Sequence, residues 1–359
     1  MENSSQKLVS IANKRFNEVL KDGFKLFIQN YGKLILPLAI FQVILIILDI
    51  FVLTDIRWYL SAIDITVSDI MEKLVGPTPL TAEDWNTLSY FILMNFVVLF
   101  FQNLIGAIII AIAMCSVSNY VFKKYMNEEV SFIRSFRSAF NKKLILVILI
   151  LGICLPISYE LLIFPSIIVF GFFIFLVFTY NMDVKKNPIS DARAIAKGAF
   201  LKIIGVFVIN FLIIITISII FELFIGFLLN AEIISYNYNN WVAPTTRNYG
   251  MIILYQILVN LIDILLAPLF ICLLTSLFAS QKAKRDLGLQ YQREYYPTRK
   301  FYQDSYLYPQ QETYDIVDTS LKETNIDGRF YCPYCGTLIR SGIKKFCPKC
   351  GENLSFFNK

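Results

Sequence analysis

The stretch from Phe164 to Asn210 reads FPSIIVFGFFIFLVFTYNMDVKKNPISDARAIAKGAFLKIIGVFVIN. It holds an uncharged apolar run up to Tyr180, a polar turn with Lys185 and Lys186, an alanine-rich segment with Arg193 and Lys197, and a second apolar run from Ile203. A helix that is apolar all round has no face to offer water, and about 20 such residues cross the ~30 Å of a bilayer's hydrocarbon. The stretch therefore predicts span, basic turn, polar helix, span.

Working outward, uncharged apolar windows fall at Leu34–Leu53, Leu88–Phe122, Leu144–Ile157, Leu161–Tyr180, Ile203–Leu229 and Met251–Ala279. The second, fifth and sixth exceed one crossing, which implies tilt or extension past the membrane. The third is short and ends at Pro156 before Ser158-Tyr159-Glu160, so Leu144–Tyr180 reads as a tight two-helix hairpin or as a re-entrant loop. Composition agrees: 56% of the 359 residues are hydrophobic, only 17% are charged and the mean hydropathy is +0.58. Soluble domains carry about 25% charge. The predicted fold class is an all-α polytopic membrane protein of about six transmembrane helices, with interfacial amphipathic helices and a small C-terminal zinc ribbon.

Charge alternates from one connection to the next. Lys7, Lys14, Arg15, Lys21, Lys25 and Lys33 precede the first run; Lys123, Lys124, Arg134, Arg137, Lys142 and Lys143 follow the second; Lys185, Lys186, Arg193, Lys197 and Lys202 follow the fourth. By contrast, the loop read from Thr54 to Thr87 has Arg57 and Lys73 against Asp55, Asp64, Asp69, Glu72, Glu83 and Asp84, and Asn230–Tyr249 has Arg247 alone. The positive-inside rule then places both termini in the cytoplasm of a multi-pass cell-membrane protein. Residues 1–30 are polar and lack a signal peptide's apolar core, so the first span directs insertion.

The three basic segments resemble one another. Leu8–Lys33 ends in Asp22-Gly23-Phe24 before the membrane, Ser131–Lys143 in Ser138-Ala139-Phe140, and Ser190–Lys202 in Gly198-Ala199-Phe200. In the first, Leu8, Ala12, Phe16, Val19, Leu20 and Phe27 share a face; in the third, Ser190 is an N-cap with Asp191 in the first turn. These segments read as helices in the headgroup plane, or else as cytoplasmic linkers. The pattern resembles the membrane domain attached to some bacterial glycerophosphoryl diester phosphodiesterases and its stand-alone prokaryotic relatives. The resemblance rests on EVLKDGFKLFIQNYGKLILPLAI (Glu18–Ile40) and on the Phe164–Asn210 stretch, and covers roughly the first 280 residues. No catalytic barrel is present, and the chain has no histidine, so the resemblance implies no enzymatic activity. The missing histidine also excludes Ser–His hydrolases and His-x-x-x-His zinc proteases.

Residues 1–280 form the membrane domain in this reading. Residues 281–328 are polar, with Tyr291, Tyr295, Tyr296, Tyr302, Tyr306, Tyr308 and Tyr314 scattered among them, and read as a flexible tether. Residues 329–359 hold Cys332-Pro333-Tyr334-Cys335-Gly336 and Cys347-Pro348-Lys349-Cys350-Gly351. Two Cys-x-x-Cys pairs supply four thiolates for tetrahedral zinc, and four leave no open position for catalysis. So small a module cannot bury enough surface to fold alone, so Zn2+ supplies its folding energy, on the order of 10–16 kcal/mol in comparable finger peptides. A cytoplasmic address argues against two disulfides instead. For the ribbon's Arg329, Arg340, Lys344, Lys345 and Lys349, a solvated surface or attraction to anionic lipid is preferred to nucleic-acid binding. Cys115, Cys154 and Cys272, inside apolar runs, read as small buried hydrophobes.

Asp49, Glu222 and Asp263 also sit in apolar runs, with Asn95, Gln102, Asn103, Asn210, Gln256 and Asn260, and no lysine or arginine looks deep enough to pair with the carboxylates. Asn260 and Asp263, three apart, share a helix face ahead of a kink at Pro268, which suits a substrate path; interhelical packing is the slightly preferred reading. Asp49 and Glu222 lie near outer ends. An intramembrane carboxylate enzyme is the weakest option. The sequence thus points to an integral membrane protein with the bilayer and a protein as partners. Its cytoplasmic structural-zinc ribbon would serve a non-enzymatic recruiting, sensing or lipid-organising role. The alternative is a transporter or channel with a polar path near Asn260 and Asp263.

Overall fold

A short helix, α1 (Glu2–Asn13), precedes a helix of 60 residues, α2 (Phe16–Val75). The computed structural model describes residues 2–76, 79–182, 187–229, 238, 240–295, 329–331 and 338–340. Arg15 is extended between the two helices, and its N–H donates to the Glu18 carboxylate at 2.8 Å, which satisfies a donor the first turn cannot. The break at Lys14–Arg15 corrects the expectation of one amphipathic helix over Leu8–Lys33. From Phe16 the helix runs straight on into the first apolar run, so this part does not lie as a separate surface helix. Its buried stripe, Val19, Gly23, Leu26, Leu34 and Leu38, keeps a helical period across the change from polar to apolar sequence.

At 1.5 Å per residue, α2 reaches roughly 90 Å, about three times the hydrocarbon thickness. Its far end replaces the acidic loop expected at Thr54–Thr87: α2 continues to Val75 and α3 (Ala82–Tyr125) begins a few residues later. Leu53, Leu60, Val67 and Ile70 recur at helical spacing and are buried between the carboxylates. Val98 of α3 joins Leu53 and Leu60, and Tyr59 meets Tyr90 edge-on at 6.3 Å. Near the tip Lys73 pairs with Asp84 at 3.1 Å, while Thr81 and Asp84 form a capping box, the Asp84 N–H donating to the Thr81 hydroxyl at 3.2 Å. The other end of α3 closes on Asn127 at φ 55°, with the Glu128 N–H donating to the Lys123 carbonyl at 2.9 Å.

Helix α4 (Phe132–Ala139) leads into α5 (Leu144–Val147), a π-helical turn (Ile148–Cys154) and α6 (Leu155–Leu161). The wide turn stands just before Pro156, which lacks the N–H an α-turn requires. After Leu162 the chain returns as α7 (Ile163–Phe173) and α8 (Leu176–Thr179). The Asn141 side-chain amide donates to that of Asn181 at 3.1 Å, so the two arms start and finish at the same end. Helix α9 (Pro188–Ala196) is capped by Asn187, whose side chain accepts from the Ile189 N–H at 3.1 Å. The cap is therefore Asn187 with proline at the first helical position, not Ser190, which lies inside the helix.

Helix α10 (Phe200–Leu229) is followed by α11 (Tyr249–Val259) and α12 (Leu261–Tyr295). The sixth apolar window is thus two helices broken at Asn260, not one span, and Pro268 lies inside α12. Helix α12 also runs to Tyr295, through the start of the expected tether.

Among the described residues, five helices are long and apolar enough to cross a membrane: Phe16–Ser61, Ala82–Tyr125, Leu144–Leu161, Phe200–Phe224 and Leu261–Gly288. Ile163–Thr179 and Tyr249–Val259 are shorter apolar helices, so the fourth expected span is the one without the length. The chain divides between Ala279 and Ser280: one unit is Arg15–Ala279, and Met1–Lys14 with Ser280–Lys359 forms the other. The first unit's core gathers Val19, Tyr120, Phe175, Ile203, Leu273 and Phe278 around α12, the most buried of the five long helices. In the second unit, Lys282 pairs with Asp286 one turn on at 2.6 Å, and strands β1 (Arg329–Tyr331) and β2 (Leu338–Arg340) pair antiparallel.

Candidate functional site

The four cysteines expected to hold zinc, Cys332, Cys335, Cys347 and Cys350, lie outside the described residues. What is described is the strand on either side of the first pair: Tyr331 pairs with Leu338 and Arg329 with Arg340. Among the described residues no group of three or more metal-ligating side chains gathers. Cys115 and Cys272 are buried as expected of small hydrophobes, whereas Cys154 is exposed.

Asp49, Asn103, Glu160 and Glu222 fall at one level. From the last cations at the basic end, Lys33 to Asp49, Lys123 back to Asn103, Lys143 to Glu160 and Lys202 to Glu222 are each roughly 16–20 residues, about 24–30 Å of helix. Cross-links tie these levels together. The Asn103 amide donates to the Glu160 carboxylate at 2.7 Å. Ile46 and Ile50 of α2 pack with Ile252 of α11 and Ile264 of α12. Asp263 stands in the first turn of α12, where the charge of Glu222 bears on it; both are exposed.

Asp49 does have a partner. Arg57, eight residues on, reaches back along α2 and binds it through both guanidinium nitrogens at 2.6 and 2.9 Å. Side chains on a helix lean towards its N-terminus, and that lean carries an arginine across two turns. It is a correction to the reading that no cation lies within reach, and the signal was available in the spacing plus the length of arginine. Arg247, the other cation here, pairs with Asp55 at 2.6 Å and donates to the Val242 carbonyl at 3.2 Å. Tyr249 stacks on Phe51 at 5.0 Å and lies 5.6 Å below the Arg247 guanidinium. With Lys73 on Asp84, each of the three cations described at the acidic end is ion-paired.

Asn260 is the C-cap of α11 rather than a face-mate of Asp263 on one helix. Its amide donates to the Gln256 carbonyl at 2.7 Å, and the Gln256 amide donates to the Tyr238 hydroxyl at 3.1 Å. These bonds close the end of α11 and tie it to Tyr238. Asn210 is buried on α10 with its amide oxygen unpartnered.

The basic end carries polar contacts that sequence reasoning did not single out. The buried Tyr180 hydroxyl lies 3.3 Å from the Cys115 carbonyl and 3.1 Å from that of Ala139. Ser138 accepts from Asn119 at 3.3 Å and from Asn181 at 3.4 Å, and the Tyr125 hydroxyl donates to Asp22 at 2.9 Å. These bonds staple α2, α3, α4 and the end of α8 together; only the recurring Ser-Ala-Phe and Gly-Ala-Phe endings hinted at a shared seam. Set against protein-family models, curated proteins and solved structures, the chain finds no match.

Proposed function

We propose that the chain is a multi-pass integral membrane protein that carries a structural zinc ribbon on its cytoplasmic side and uses it to recruit or sense a protein partner, with no chemistry of its own. The observation that carries this reading is the β1–β2 pairing around Cys332 and Cys335. A two-stranded frame that turns at a Cys-x-x-Cys knuckle suits a ribbon, and four thiolates with no fifth donor suit a closed structural centre. In this reading Cys332, Cys335, Cys347 and Cys350 hold the ion, which locks the module's shape. The pairing of every described acidic-end cation supports the orientation, since the charge contrast between the two ends is larger than a count of residues implies. The membrane body is proposed to be of the type attached to the bacterial phosphodiesterases, with α4 and α9 as its interfacial helices.

The test uses full-length protein in detergent. One zinc per chain is expected by elemental analysis, with none in C332S/C335S and with loss of whatever protein the native chain retains. Zinc-free native protein, or a variant that keeps every interaction, would sink the reading.

A second reading, a transporter or channel, draws on the charge of Glu222 bearing on Asp263. It expects Asp263→Asn to abolish solute flux in reconstituted vesicles. The common level of these residues at the acidic rim supports the first reading over this one.

A further inference from the structure

We infer that α4 is a docking surface for anionic phospholipid, with Arg134 and Arg137 on lipid phosphates and Ile133 and Phe140 in the acyl boundary. The inference rests on the reading that the chain spans a bilayer. One face of α4 is fixed: Ser135 and Ala139 are buried, and Phe132 meets the Tyr120 ring edge-on at 5.1 Å. The Ser138 hydroxyl donates to the Ser135 carbonyl at 2.8 Å and so stays within the helix's own seam. The other face is bare. Ile133, Arg134 and Arg137 follow one helical side and Phe140 caps its end with its ring 5.3 Å from that of Phe136; all four are exposed, Ile133 at 78% and Phe140 at 50%.

No carboxylate stands on α4, and among the described residues neither guanidinium makes an ion pair or hydrogen bond. The occupant follows from position and charge. Lys123-Lys124 and Lys142-Lys143 flank the helix at the points where two apolar helices leave their runs, so α4 stands at headgroup level of any bilayer those helices cross. Apolar and cationic side chains on one narrow face suit that boundary: the apolar pair enters the acyl layer while arginine forks reach phosphate oxygens. Helix α9 lacks the wedge, since Ser190, Arg193, Ala194 and Lys197 are what it exposes.

The test is phosphatidylglycerol binding by the full-length protein in detergent, read as thermal stabilisation and as lipid retained in native mass spectra. Phosphatidylcholine and inorganic phosphate serve as controls. Two cations at about 1 kcal/mol each predict that R134Q/R137Q binds phosphatidylglycerol about thirty-fold more weakly, with its melting point in phosphatidylcholine unchanged. Ile133→Ser is expected to weaken it about tenfold. Equal binding by native and double-variant protein overturns the inference. So does equal stabilisation by inorganic phosphate, or loss of a bound protein in place of lipid. Alkaline carbonate extraction of native membranes separates the two failures: a chain released by carbonate refutes the membrane reading, whereas a retained chain with unselective lipid binding refutes only the role of α4.

Discussion

The two ends of the helical bundle are held by different means. At the basic end, rings and small residues interlock. Phe278 stacks on Phe178 at 4.5 Å and meets Phe175 and Phe122 edge-on at 5.3 and 5.4 Å. Around them sit Ala113, Cys115, Ser116, Ala139, Ala192, Ala196 and Ser276, all buried. At the acidic end, ion pairs join two small apolar clusters, Leu53, Leu60 and Val98 and then Ile46, Ile50, Ile252 and Ile264, and α3 and α10 leave Leu93, Leu99, Ile220 and Leu223 exposed. Lipid tails are as apolar as leucine, so helices within them are drawn together by close fit, not by escape from water. Small side chains permit that fit, and they are concentrated at one end. The basic end is the part of the body that fixes the helices; the acidic end offers large side chains to lipid and relies on ion pairs at its rim.

The sharpest way to break this comparison is to truncate a ring at each end. Phe278→Ala is expected to cost about 3–5 kcal/mol in reversible unfolding in mixed micelles, because the lost ring leaves a cavity among α3, α8 and α12. Phe224→Ala, at an exposed position on α10, is expected to change stability by less than about 0.5 kcal/mol. Equal losses would show that the acidic half is packed as tightly as the basic half. Gly23 tests the same end from the opposite direction. A Cβ there would stand 2.8 Å from the Leu273 Cα, a backbone atom that cannot step aside. Gly23→Ala is therefore expected to push α2 from α12 and cost about 1–3 kcal/mol in the same assay.

Much of this was legible. Apolar runs marked the long helices because a helix without a polar face has one solvent to go to, and Asn187-Pro188 marked a real boundary, whereas Asp22-Gly23, read as the end of a surface helix, lies inside α2. Three kinds of feature were not legible. Charge density disguised the α2–α3 hairpin as a loop, although Leu53, Leu60 and Val67 kept a seven-residue apolar spacing beneath it. The break at Asn260 had no proline or glycine to announce it, and Pro268, where a kink is expected, lies inside α12: a proline inside an apolar helix is tolerated when neighbouring helices cover the freed carbonyl. And depth along a run was judged residue by residue. Asp49 and Glu222 are placed near outer ends one run at a time, and Glu160 in a turn, but their shared distance from the basic end appears only when the helices stand side by side.

The ion pairs at that rim sharpen the comparison at smaller energies. Asp49 and Arg57 are partly shielded and joined at two points, so Asp49→Asn is expected to cost about 1 kcal/mol and to lose little of that effect in high salt. The Asp55–Arg247 pair is the weaker of the two. Asp55 is 74% exposed, although Arg247 is only 14% exposed, so water and counter-ions reach the carboxylate side freely. Arg247 also keeps the Val242 carbonyl and the Tyr249 ring when Asp55 is neutralised. Asp55→Asn is therefore expected to cost less than about 0.5 kcal/mol, an effect that vanishes in molar salt. Arg247→Gln is expected to cost more than Asp55→Asn, because it removes the carbonyl bonds and the ring contact along with the pair. If the two substitutions match in size and in salt dependence, the loop from Asn240 to Asn248 is held to α2 by charge alone, and the packing of Trp241 and Val242 beside Ile46 and Ile252 contributes nothing to holding this end together.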